Sequence, residues 1–103
     1  MNESNPAAYR VYVDDNFHYM DPDERYPAGA FPDCESARRQ CISIVESSLQ
    51  DQFKPGMTAA ELLSRYHSFG EDPWISSPDP DCKFSAWTYA EQRVTEICGE
   101  RGA

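Results

Sequence analysis

The sequence predicts a small α+β domain of two layers, in the order β-β-α-α-β-α, with a short, mostly antiparallel three-stranded sheet packed against helices. Three observations carry that expectation. Residues near the N-terminus alternate apolar and polar as a half-buried strand does, later stretches repeat apolar residues every three or four positions, and breaks rich in Gly and Pro separate them. A chain of 103 residues has room for one such core and no separate cofactor domain.

Residues 1–8 read as a flexible arm, 9–98 as the single domain and 99–103 as a C-terminal tail. The first strand opens in "YRVYVDD", where Tyr9, Val11 and Val13 share a face. Continued alternation puts Phe17 and Tyr19 on that face, with Asp15 as its polar exception. In "DPDE", Asp21 and Pro22 suit the first two positions of a type I turn. The return strand is "RYPAGAF", 25–31, and Pro27, which has no N–H to donate, suits a sheet edge.

Asp33 is the expected N-cap of a helix over 34–52 whose apolar face is Ala37, Cys41, Ile44, Val45 and Leu49. "KPG" breaks the chain. Thr58 and Glu61 then have the spacing of a capping box, and Met57 can staple onto Leu62. This second helix runs to about Phe69, burying Leu62, Leu63 and Tyr66, and Gly70 stops it. "EDPWISS" reads as a short strand centred on Trp74 and Ile75. Ser85 caps the last helix, expected over about 86–98, with Phe84 stapled onto Tyr89 and with Ala86, Ala90, Val94 and Ile97 on one face. Gly99 is expected to end it.

Eighteen Asp and Glu against nine Lys and Arg give a net charge of −9. That balance disfavours nucleic acid and anionic membrane surfaces, which need basic patches, and better fits a basic protein segment, a cation or plain solubility. No apolar run has the length of a membrane span, and "MNESNPAAYR" lacks the order of a signal peptide, so a cytoplasmic home is expected. Cys34 and Cys41 lie seven apart on one helix, about 10 Å at the helical rise, too far to bridge. No cysteine pair has zinc spacing. All four cysteines are therefore expected as reduced thiols, Cys41 and Cys98 as small buried hydrophobes.

Chemistry could reside in "VDDNFHYMDPDERY", which gathers Asp14, Asp15, Asp21, Asp23 and Glu24 around His18. Its spacing is not that of a calcium loop, because Phe17, Tyr19 and Met20 fall where ligands belong and no glycine allows the sharp turn. No metal and no cofactor are expected. His18 could pair with Asp14 across Asn16 as a general base, but no nucleophile is marked. A second acidic stretch, "GEDPWISSPDPD", sets Glu71, Asp72, Asp79 and Asp81 around Trp74, and neither stretch contains a Lys or Arg before Arg25. If the third strand lies beside the first, the two make one acidic, aromatic face. Phe84, Trp87 and Tyr89 are read as core contacts in preference to a ligand groove, and His67 as an ordinary helix histidine.

The leading expectation is thus a non-catalytic protein-interaction module, monomer or weak homodimer, binding through Asp14, Asp15, Asn16, His18 and Trp74. The alternative is a small-molecule or divalent-metal binding protein, or an enzyme, using Asp14, Asp15 and His18. The segments "VYVDDNFHYMDPDERY", "FGEDPWI" and "FSAWTYA" together resemble a group of small bacterial proteins of uncharacterised function, over about Tyr9 to Cys98. The resemblance implies a stand-alone domain and carries over no catalytic residue, cofactor or partner.

Overall fold

The computed structural model describes residues 8–15 and 25–101. Strands β1 (Tyr9–Asp15) and β2 (Tyr26–Phe31) are followed by helices α1 (Cys34–Gln52) and α2 (Ala59–Phe69), strand β3 (Glu71–Ser76) and helix α3 (Ala86–Arg101). The protein is an α+β fold with a three-stranded antiparallel sheet in the order β2-β1-β3. Pro27 therefore lies on an edge strand, as its missing N–H requires. The expected turn at Asp21–Glu24, and Phe17 and Tyr19, fall outside the described residues.

Alternation sorts the sheet residues. Val11 and Val13 are fully buried and pair with Ile75 and Pro73. Val11 packs with Ala37 and Cys41 of α1, joined by Tyr9, Phe31, Ile75 and Phe84. Between Arg10 and Tyr12 the pairing with β2 slips, so that Ala28 and Gly29 together oppose Val11. Gly29 has φ +117°, a conformation only glycine holds without strain, which is why the bulge falls there.

A second and larger core joins the helices: Val45 and Leu49 of α1, Leu62 and Tyr66 of α2, and Ala86, Ala90, Val94 and Ile97 of α3. Their three- and four-residue spacing is the reason each helix forms where it does, since one apolar stripe per helix meets the other two. The caps are equally local. Asp33 accepts the Ser36 N–H at 2.7 Å, and Thr58 and Glu61 exchange side chain to backbone bonds of 3.1 and 2.9 Å.

Two expectations are corrected, and the stop at Gly70 is met for a reason of packing. Helix α3 does not stop at Gly99 but continues to Arg101; glycine costs a helix interior only about 1 kcal/mol, and among the described residues the positive-φ glycines are Gly29 and Gly56, not Gly99. Gly70 does end α2, yet its φ of −79° is open to any residue. Its role is space: a Cβ there would collide with the Tyr66 ring and lie 2.7 Å from the Tyr66 carbonyl oxygen. Finally, the cysteines are not all reduced, because Cys34 and Cys82 form a disulfide across 48 residues, with Cα atoms 5.8 Å apart. Helical rise keeps Cys34 from Cys41, but the loop after β3 returns Cys82 to the start of α1. Cys41 is a free, buried thiol, whereas free Cys98 is partly exposed.

Candidate groove between the sheet and helix α3

On the sheet positions that alternate with the buried valines stand Tyr12, Asp14, Asp72 and Trp74. In the β1–β3 register Tyr12 opposes Trp74 and Asp14 opposes Asp72. The Tyr12 and Trp74 rings lie 5.2 Å apart. A groove of about 550 Å³ is lined by Asp14, Asp72 and Trp74 from the sheet and by Phe84, Ser85, Ala86 and Trp87 from the start of α3.

Local forces fix each wall. Ser85 caps α3 by accepting the Thr88 N–H at 3.3 Å, which places Ala86 and Trp87 in the first turn. Phe84 packs against both cores, with its ring 6.0 Å from Tyr89 as the staple requires. Upstream, the Cys34–Cys82 bridge holds the loop to α1, and Arg38 donates to the carbonyls of Lys83 (3.2 Å) and Asp81 (3.5 Å). Trp87 stacks on His67 of α2 with centroids 4.2 Å apart. The Nε2 of His67 and the Nε1 of Trp74 are buried without a hydrogen-bond partner among the described residues.

The two carboxylates differ. Asp14 accepts from Arg25 Nε at 2.6 Å and from Nη2 at 3.3 Å, a two-pronged contact, and the same guanidinium lies 5.0 Å from the Trp74 ring centroid. Asp72 has no such partner among the described residues. Burial, reinforced by the charge of Asp14, pushes its carboxyl up to about 6. A carboxylate half-withdrawn from water beside a second one is a site that gains from an added cation.

Asp14 and Trp74 are thus brought together. Asp15 is not with them: it pairs with Glu71 on the other set of alternating positions, where Glu71 accepts from the Tyr26 hydroxyl at 2.5 Å. Asn16 and His18 lie outside the described residues. Among the described residues no three His, Cys, Asp or Glu side chains come together as a metal site would need, and no helix is long and apolar enough to cross a membrane.

Sequence reasoning did not join Arg25, Phe84 and Trp87 to the acidic, aromatic face, and set Asp72 on it only as one of four acids around Trp74. The signal was available for Asp72 once β3 is set beside β1, because two positions before Trp74 must share its face. Trp87 had no such signal, since helical spacing fits a core residue as well as a groove wall; it is 40% exposed.

Disulfides such as Cys34–Cys82 persist where thiols are not kept reduced. Comparison of the chain with protein-family models, with curated proteins and with solved structures gives no match.

Proposed function

We propose that the protein is a non-catalytic interaction module that takes a basic segment of a partner protein into the groove between β3 and α3. The observation that carries this reading is the pairing of Asp14 with Asp72 across β1 and β3 beside Trp74. Two carboxylates answered by one cation among the described residues leave a charge deficit, and the tryptophan walls add attraction for a cation over a ring face. Trp and Tyr are also the side chains that anchor protein interfaces, because they bury much area for little lost entropy. The net charge of −9 would speed the approach of a basic partner.

A direct test uses the two tryptophans, Trp74 and Trp87, both in the groove. Titration with a capped tetra-arginine or tetralysine peptide should change the tryptophan fluorescence saturably at about 100 mM salt, and a tetra-aspartate peptide should not. Asp72→Lys should abolish the change while circular dichroism reports an intact fold. Binding that survives Asp72→Lys, or no binding by wild type, would refute the reading.

A further inference from the structure

We infer that the partner group read by the groove is an arginine side chain, and that Arg25 is an internal stand-in which the partner's guanidinium displaces from Asp14 and Trp74. This rests on the reading of the groove as a site for a basic segment, and goes beyond it by naming the group recognised and what competes for its seat.

The seat is visible because it is filled. A guanidinium is planar, with donors in a fixed fork, and it is the one cationic side chain that can grip a carboxylate with two N–H groups while stacking on an aromatic face. Arg25 does both, with Nε and Nη2 on the two oxygens of Asp14 and its central carbon over Trp74. A lysine ammonium in the same place could make the contact with Asp14 as a point charge but could not stack as a plane.

The occupant is poorly committed. Arg25 stands just beyond Val13–Tyr26, the last described rung of the β1–β2 ladder. Its side chain is 43% exposed against 27% for Asp14, so the pair borders on water and is screened by it. A partner arginine carried on an extended segment across Trp74 toward Trp87 would keep the same two contacts. It would also bring its segment alongside Asp72, the carboxylate Arg25 leaves unpaired. The partner therefore gains from one more carboxylate than the internal arginine does, and that difference favours exchange.

The test is a fluorescence titration of wild type, Arg25→Ala and Arg39→Ala with capped tetra-arginine and tetralysine peptides. Arg39 pairs with Glu35 on the outer face of α1, both about three-quarters exposed, and its removal makes the same one-unit change in net charge away from the groove. Vacating the seat should tighten tetra-arginine about two- to fivefold, the factor an exposed ion pair is ordinarily worth. Tetralysine should tighten less, and Arg39→Ala should change neither. Equal tightening of both peptides by Arg25→Ala would show simple relief of charge repulsion and overturn the displacement, as would no tightening at all, with the groove reading left standing. Absence of binding in wild type and both variants would refute the groove reading itself. Thermal melts of Arg25→Ala check that the fold persists; Arg25→Gln, which keeps part of the apolar stem, replaces it if they show unfolding.

Discussion

Asp14 and Asp72 stand directly opposite one another on β1 and β3, two carboxylates on one rung of the sheet. Like charges in that relation destabilise a ladder, and among the described residues only Asp14 has an answering cation, the guanidinium of Arg25. The cost falls on Asp72.

That asymmetry sets a pH dependence. The carboxyl of Asp72 is raised from 3.8 to about 6, first by burial and then by Asp14. The folded protein therefore holds this proton more tightly than the unfolded chain does. Its contribution to stability is fully present below about pH 4 and is lost as pH rises through 6. Asp72→Asn should flatten this part of the profile, and after allowance for solvent screening should stabilise the protein by about 1–2 kcal/mol at pH 8. Urea midpoints at pH 4.5 and pH 8 check it; an unchanged difference between the two would show that Asp72 is not the group responsible.

Gly70 and Tyr66 are coupled by shape. The buried Tyr66 ring fills the volume a Cβ at residue 70 would occupy, and its hydroxyl donates to the Glu71 carbonyl at 2.6 Å, tying α2 to β3. Gly70→Ala should cost about 1–3 kcal/mol by overpacking, although the backbone there suits any residue. Combined with Tyr66→Leu, the loss should be clearly less than additive. Full additivity in a double-mutant cycle would mean that the ring and the missing Cβ do not compete.

These cases show what the sequence makes legible. The helices could be read because caps and apolar stripes are local: Asp33, Thr58 and Glu61 lie within four residues of the groups they bind. The sheet could be read for Val11 and Val13 but not for Asp72, whose meaning depends on β3 lying beside β1, a relation between residues some sixty apart. The disulfide was missed for the same reason, since Cys82 approaches Cys34 only after the loop following β3 has turned back. Gly70 could be read as the helix stop from its neighbours, but the Tyr66 ring that demands a glycine there could not. Long-range juxtaposition, which spacing does not encode, is what builds the groove.

Glu46 joins α1 to α3 by accepting from Tyr89 at 2.6 Å and from Arg93. Burial works against its charge, but the hydrogen bonds from Arg93 and Tyr89 outweigh it and hold the carboxyl below its ordinary value. This is the opposite sign to Asp72: the contribution is present above the ordinary 4.5 and is lost as pH falls through the lowered value. Glu46→Gln should therefore cost about 1 kcal/mol at pH 7 and less at pH 3.5. Chemical denaturation at the two pH values decides it, and an equal cost at both would assign the effect to packing.

The Cys34–Cys82 bridge closes a separation of 48 residues, a constraint on the unfolded chain worth about 4 kcal/mol in the loop-entropy account. In a domain of this size that is a large part of the expected total stability. Burial pushes the Cys41 thiol up to about 12, with Asp72 adding to the effect, so Cys41 should remain protonated and inert in the folded protein. Denatured but unreduced protein should therefore titrate two thiols, Cys41 and Cys98, and reduced protein all four. The double variant Cys34→Ser, Cys82→Ser should unfold at markedly lower urea, by roughly 3–4 kcal/mol, and reductant should lower wild type to the same level while leaving the variant unchanged. Four thiols before reduction, or a variant as stable as wild type, would mean that the loop entering α3 is held by Phe84 and Arg38 alone.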